Sequence, residues 1–335
     1  MGKDKMNKKS AALYRPIAIV MVGPPGCGKS TTAKKMDVDS DMVIIERDII
    51  REGIGGSRKG FYDLAYTPEL RDVYEAYVSS KVDGILKQCA IKRQSVIIAD
   101  TNMNKRYRHE MYDKLYGLGF QVRLHVFHGD DVNIDELIRR NETRDEDYRV
   151  PMSVLTRYDS LMKKQAKTLA DEFDLLSLAD TSEHSPHRDN IIICDIDDTL
   201  AFRDGNREPF EFMKSGSDSP IEHNIKMLED VVNSAARLSK EDSIDKVYFF
   251  SGRSDICRVE TEAWLTGHVL LNCPTELVMR IEGDYRKDWI IKGEMYRDMI
   301  HGKYTVKYVF DDRQSVVGYW ANLGLPVIQV SQCKY

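Results

Sequence analysis

Gly23-Pro24-Pro25-Gly26-Cys27-Gly28-Lys29-Ser30-Thr31 directly follows the apolar run 17–22 and precedes a segment with helical spacing. A G-x-x-x-x-G-K-S pattern between a strand and a helix is a phosphate cradle, because glycines let backbone N–H groups turn inward around anionic oxygens. Gly23, Gly26, Cys27 and Gly28 are therefore read as contacts to nucleotide phosphates. Lys29 supplies mobile charge to the transferring group, Ser30 a magnesium ligand and Thr31 a second hydroxyl. A plain glycine-rich turn is the alternative, and the full spacing argues against it. The strand, turn and helix order also sets the fold expected of the first half, a parallel sheet with crossover helices.

A second strand-end motif, Asp195-Ile196-Asp197-Asp198-Thr199-Leu200, follows the apolar run 191–194. D-x-D-x-T-L resembles the haloacid dehalogenase pattern. Asp195 would attack phosphorus and form a phosphoaspartate, and Asp197 would protonate the departing oxygen and later activate water. Acid-rich strand ends also occur as calcium sites or caps, so the later elements decide. Ser251-Gly252-Arg253 follows the run 246–250 and offers a hydroxyl and backbone N–H groups to a phosphate. Asp311-Asp312 follows the run 308–310, and with Asp195 and Asp197 these carboxylates suit magnesium. Between them, Lys287-Asp288 and Lys292 offer a cation to neutralise nucleophile and phosphate together, and Lys292 is preferred.

One motif is built to add a phosphoryl group and the other to remove one. A chain carrying both is suited to remodelling one kind of substrate, and nucleic acid is the common polymer with two distinct phosphate-bearing ends. The 335 residues suggest about two domains of roughly 150 residues each, and 42% apolar residues support two cores. A net charge of -5, from 49 basic and 54 acidic residues, excludes an overall positive field, so polyanion contacts must be local. Cys27, Cys89, Cys194, Cys257, Cys273 and Cys333 form no C-x-x-C pair, and no apolar run approaches the roughly 18 residues of a membrane span. Both features favour a reduced, cytoplasmic protein without membrane contact.

The expected fold class is α/β, with two domains, each a mainly parallel sheet flanked by helices. The map runs from a basic tail over 1–14, read as solvated unless its lysines touch a phosphate backbone, to a P-loop kinase domain over 15–180. A polar linker over 181–190 contains Ser185-Pro186 and leads to a phosphatase domain over 191–335. Strands are expected at 17–22, 42–46, 95–99 and 121–127, then at 191–194, 247–250, 308–310 and 327–330. Thr67-Pro68 reads as a cap with proline at the first helical position, and Val154, Leu155, Tyr158, Leu161, Met162 and Leu169 as a core stripe. Tyr107, Tyr112 and Tyr116 read as packing rather than a base-stacking platform, and the pairs His125/His128 and His184/His187 lack companions for a metal.

A phosphate donor needs an acceptor. Glu46-Arg47-Asp48 and Arg51 stand where the second strand ends, on the rim where parallel sheets bind ligands. Asp48 is a candidate base for an acceptor hydroxyl, with Arg51 on the same helical face to hold an acceptor phosphate; a helix cap is the competing reading of Asp48. Asp100-Thr101-Asn102 closes the third strand, with Asp100 orienting magnesium-bound water and Thr101 and Asn102 touching the acceptor. Arg139, Arg140 and Arg144 can close over the donor, or else belong to a solvated face with Asp145, Glu146 and Asp147.

The whole order, from about Pro16 to Val330, resembles the T-even bacteriophage polynucleotide kinase and 3′-phosphatase family. The resemblance implies ATP as donor and Mg2+ as cofactor, with Lys29 and Ser30 on the donor phosphates and Asp48 activating a 5′-hydroxyl. Arg51 and Thr101 would hold the acceptor's phosphate, and Arg144 would stabilise the transfer with Arg140 as a weaker partner. In the second half it assigns Asp195, Asp197, Arg207, Ser251, Arg253, Asp288, Lys292, Asp311 and Asp312 to removal of a 3′-phosphate, with Arg280 beside them. It further implies RNA or DNA ends as substrates, opening of 2′,3′-cyclic phosphates, a homotetramer, and an RNA ligase that seals the mended ends. The chain departs from the family in an N-terminal extension, extra residues around 55–60 and a shorter segment after Arg253. A small-metabolite kinase fused to a sugar or nucleotide phosphatase would share every catalytic residue, and a basic, open groove past Asp48 is what separates the two. A binding module with degenerate motifs would have no need of intact Lys29, Asp195 and Asp197.

Overall fold

The structure, a computed structural model, describes residues 15–37, 42–178, 188–203, 205, 207–208, 211–235 and 243–330. The expected basic tail, and residues 181–187 of the expected linker with His184 and His187, lie outside the described residues. The chain divides into two compact units, Met1–Leu169 and Ala170–Tyr335.

The first unit runs β1 (Ile17–Val22), α1 (Lys29–Asp37), β2 (Val43–Ile45), α2 (Arg47–Gly55), α3 (Arg58–Leu64), α4 (Pro68–Lys92), β3 (Val96–Ile98), α5 (Lys105–Gly117), β4 (Gln121–Val126), α6 (Ile134–Glu142) and α7 (Met152–Ser177), the last crossing into the second unit. Its sheet has the order β2-β3-β1-β4. Every pair is parallel, with Ala18 and Val43 both opposite Val96 and Ile17 opposite Gln121. β1 lies between two neighbours, and its unbroken apolar sequence is what burial on both faces requires. Parallel pairing brings the C-terminal ends of all four strands to one rim, which is where Gly23, Arg47 and Asp100 begin their loops.

Local signals set the helix ends. Thr67 Oγ1 accepts from Leu70 N at 3.3 Å and Pro68 occupies the first turn of α4, where a missing N–H leaves no bond unmade. Val78, Val82, Leu86 and Cys89 form the buried line of that helix. Tyr112 and Tyr116 are fully buried in α5, whereas Tyr107 reaches Arg47. The expected core stripe on α7 divides: Leu155 and Leu169 are buried, but Val154, Tyr158 and Leu161 border a cavity.

The second unit runs β5 (Asn190–Cys194), β6 (Ala201–Phe202), β7 (Ser219–Pro220), α8 (Glu222–Ala235), β8 (Lys246–Ser254), α9 (Arg258–His268), β9 (Thr275–Arg280), α10 (Asp288–Met295), β10 (Thr305–Asp311), α11 (Gln314–Asn322) and β11 (Val327–Gln329). Its main sheet is parallel with the order β11-β10-β5-β8-β9, and β6 and β7 form a small antiparallel pair. β8 extends beyond the expected run, with a register shift between Ser251 and Ser254 that accommodates Gly252 and Arg253. β9 was not expected, and it sets Arg280 opposite Ser254.

Phe310 is buried in a core with Ile192, Cys194, Val247 and Phe249. Replacing it with alanine should cost the second unit about 3–5 kcal/mol. Trp264, Trp289 and Trp320 all lie in this unit, so a urea titration followed by tryptophan fluorescence reads the loss there.

Candidate active sites

In the first unit, Gly26 and Gly28 have φ of 91° and 100°, a left-handed backbone that a side chain would strain. A Cβ on Gly23 would lie 2.6 Å from Cys27 Sγ. Lys29 is buried beneath the loop, where its Nζ donates to Gly23 O at 3.0 Å and Pro24 O at 2.7 Å, and burial lowers its pKa. Ser30 Oγ donates to Glu46 Oε2 at 2.7 Å, so Glu46 is a site carboxylate to which the sequence reading gave no role. Thr31 is exposed at the start of α1 and lines the cavity. Arg140 reaches Gly26 O at 3.2 Å while paired with Glu136 and Asp131. Arg144 stands beside Gly26, its pKa lowered first by burial and then by Arg58. Arg139 pairs with Glu136 at an exposed position, the solvated-face alternative.

Asp48 does not cap a helix. Its carboxylate accepts from Arg51 Nη1 at 2.7 Å and pairs with Arg58 Nη2 at 3.2 Å. Arg51 is held in turn by both oxygens of Glu75, at 2.9 and 3.0 Å, and Arg47 donates to the same carboxylate at 2.9 Å and to Tyr107 Oη at 2.8 Å. Glu75 and Arg58 carry no motif and were missed. Asp100 Oδ1 accepts from Arg47 N at 2.8 Å, which ties the ends of β2 and β3 together, and burial raises its pKa to about 6. Thr101 lines the cavity, and its carbonyl accepts from Gly23 N at 3.1 Å. Asn102 is buried and donates its amide to Met21 O at 2.8 Å. Its amide thereby binds the strand ends together, and the residue also lines the cavity.

These groups share one cavity of about 1940 Å3, reaching from Gly26 and Lys29 past Asp48 to α3, α4 and α7. It exceeds the roughly 300–1,000 Å3 of an ordinary small-molecule site. Eleven lysine and arginine side chains line it against seven aspartates and glutamates, although the chain as a whole is acidic.

In the second unit, Asp195, Asp311 and Asp312 place carboxylate oxygens within 4.8 Å of one another. Such a set of hard oxygen donors suits a divalent cation such as magnesium. Lys292, buried on α10, sits 2.9 Å from Asp195 and 2.8 Å from Asp311. Burial works against its ammonium, but the two carboxylates outweigh it and hold the pKa above the usual lysine value. Burial likewise pushes Asp195 well up, against the pull of Lys292, and with Asp311 raises Asp312 to about 6. Thr199 Oγ1 donates to Asp312 Oδ1 at 3.3 Å, and Asn224 Nδ2 holds Thr199 O at 2.8 Å.

The Asp197 carboxylate stands outside that cluster of three. Its oxygens accept from Arg253 Nε at 3.0 and 3.1 Å, from Arg253 Nη2 at 2.8 Å and from Arg207 Nη2 at 3.3 Å. Asp218, fully buried, pairs with Arg207 at 2.7 Å and Arg253 at 2.8 Å. It lies in the polar stretch 215–220, which carries no motif. Ser251 Oγ accepts from Arg253 N at 3.1 Å. Gly252 passes Asp288 so closely that a Cβ would lie 3.2 Å from its Oδ1, and Arg280 Nε donates to Gly252 O at 2.8 Å. Asp288 itself bridges Arg280 and Arg313.

The two sites define a P-loop phosphotransfer domain followed by a phosphatase of the haloacid dehalogenase type. Residues 189–335 match the family model of the polynucleotide kinase PNKP phosphatase domain and residues 19–164 match that of the AAA domain. The second unit thus carries a phosphatase domain of the PNKP type and the first an AAA-type P-loop domain. A relative in Autographa californica nuclear polyhedrosis virus, provisionally named a bifunctional polynucleotide kinase/RNA ligase, is 27% identical over 319 residues. That match takes in 92% of this chain but 42% of the relative, so the chain spans less than half the relative's length. Among solved structures, the chain is similar to one in the Pnkp1/Rnl/Hen1 RNA repair complex, at 26% identity and a TM-score of 0.42, covering 98% of this chain and 99% of the other. A second chain, from a Pnkp1/Rnl/Hen1 complex, is 24% identical with a TM-score of 0.43 over 98% and 100%.

Asp218→Asn leaves Arg207 and Arg253 without their buried counter-charge and should destabilise the second unit by about 3 kcal/mol, read by tryptophan fluorescence in urea. The Asp100 carboxyl has a folded pKa above its unfolded value, so its protonated form adds stability that is lost as pH rises through about 6. Asp100→Asn keeps the oxygen that accepts from Arg47 and should gain in melting temperature over the parent protein as pH rises from about 4 to about 7. Circular dichroism across that range checks it.

Proposed function

We propose that the chain heals broken nucleic-acid ends: the first unit transfers the γ-phosphoryl group of ATP to a 5′-hydroxyl end of RNA or DNA, and the second removes a 3′-phosphate. The cavity carries this reading. It is larger than a nucleotide needs and continues past Asp48, and its lining is positive in a chain of net charge -5. A small-metabolite kinase would close around its acceptor; this wall leaves room for a strand.

In the first reaction the 5′-oxygen attacks the γ-phosphorus, its proton passes to Asp48, the bond to the bridging oxygen breaks and ADP leaves. Arg51 and Arg58 hold the Asp48 carboxylate in place, and Lys29 exchanges its loop carbonyls for donor phosphates. Arg140 and Arg144 flank Gly26 and meet charge on the transferring group. Ser30, with Glu46 and Asp100 nearby on the rim, would hold the nucleotide's magnesium.

In the second reaction Asp195 attacks the phosphorus of the 3′-phosphate while the ester bond breaks, and Asp197 gives a proton to the 3′-oxygen. Asp197 then takes a proton from the water that cleaves the acyl phosphate, which releases inorganic phosphate and restores Asp195. Ser251 and the Gly252 turn meet the phosphate oxygens, and Arg207 and Arg253 aim Asp197. Asp195, Asp311 and Asp312 would hold a magnesium ion, whose charge would offset that of the incoming phosphate. An RNA ligase joining 5′-phosphate to 3′-hydroxyl ends would consume both products.

Lys29→Ala should lower 5′-phosphorylation by roughly 100-fold or more with 3′-phosphate release within about twofold of the parent, and Asp195→Asn should do the reverse. Labelled ATP, with oligonucleotides bearing either a 5′-hydroxyl or a 3′-phosphate, measures both. Loss of both activities in either folded variant would end the two-site reading.

A further inference from the structure

The segment 55–60 forms the elbow at which α2 ends and α3 begins. Gly56 turns the chain with φ 73°, and Gly55 and Gly60 meet backbone to backbone: a Cβ on Gly55 would lie 2.1 Å from Phe61 N, and one on Gly60 2.1 Å from Gly55 O. Phe61, fully buried, packs with Ile50 and Ile54 of α2 and with Tyr74 and Val78 of α4. α3 is thereby fixed to the helix that carries Asp48 and Arg51.

Lys59 and Tyr62 of α3 line the cavity, as does Arg71 of α4. Arg47, Arg51, Arg58 and Arg140 are each matched to a carboxylate. Lys59 and Arg71 are exposed and form no ion pair among the described residues. A polyanion reaching them gains favourable charge interactions without displacing an internal bridge. Tyr62, half exposed and in a T-shaped contact with Phe61 at 5.5 Å between ring centroids, brings to the cavity a ring of the kind on which nucleobases stack.

We infer that α3 and the first turn of α4 form a second acceptor subsite, resting on the kinase reading above. Lys59 and Arg71 take the backbone phosphate beyond the terminal nucleotide of a single strand, and Tyr62 stacks on the base that follows. The elbow fixes the offset of this subsite from Asp48.

The test compares two acceptors with ATP, a nucleoside 3′-monophosphate, which ends before the subsite, and a 5′-hydroxyl RNA pentanucleotide. In a Lys59→Ala/Arg71→Ala double variant the pentanucleotide KM should rise roughly tenfold or more with kcat held, and the slope of log KM against log salt should fall by about 0.7 for each phosphate that is no longer neutralised. Tyr62→Ala should raise the same KM about fivefold or more without moving the salt slope. The mononucleotide KM should stay within about twofold in both. An unmoved pentanucleotide KM, or equal weakening of both acceptors, overturns the subsite. A parent protein that phosphorylates neither acceptor overturns the kinase reading itself.

Discussion

Lys292 is almost wholly removed from water, and it is tolerated there because Asp195 and Asp311 stand within 2.9 Å on the ends of two adjacent parallel strands. Burying one of these charges alone would cost several kcal/mol, so each is held by the presence of the others. The same requirement is met by Asp218 between Arg207 and Arg253, and by Glu75 between Arg47 and Arg51. In both units charged groups at the sheet rim are fixed before any ligand arrives. Such groups need little reorganisation when charge develops on a phosphoryl group.

Parallel topology explains why the charges gather where they do. Each unit sends successive strands in one direction, so loops far apart in sequence open on a common edge. In the first unit that edge collects Lys29, Glu46, Asp48 and Asp100. In the second it collects Asp195, Ser251 and Asp311. Residues one step further out then supply orientation: Thr199 and Asn224 position Asp312, and Arg253 positions Asp197.

The parts of this arrangement that were legible in the sequence are those encoded locally. β1 spans 17–22 as expected because a doubly buried strand is a continuous apolar run, and the Gly-Pro turn after it marks its end. The two strand-end motifs named Lys29 and Asp195, and the Thr67-Pro68 cap stands where its chemistry placed it. β9 escaped notice because an edge strand with Thr275, Glu276 and Arg280 has a half-polar pattern that no period distinguishes from a loop. Glu75 and Asp218 escaped for another reason: their partners lie 24 or 28 and 11 or 35 residues away, and only the fold joins them. For Asp48, spacing allowed a base or a cap, and its place inside the first turn of α2, behind Glu46 at the cap position, excludes the cap. Asn102, read as an acceptor contact from its place in the chain, lines the cavity while its amide serves the backbone.

At rest, the P-loop lysine answers to the loop's own carbonyls, with Gly23 O and Pro24 O standing in for the oxygens of a guest. Entry of a ligand is therefore an exchange of partners, and a visitor succeeds by supplying at least as many acceptors as the lysine gives up. A triphosphate chain can do so at several points along its length, so its fit to the cradle is cumulative.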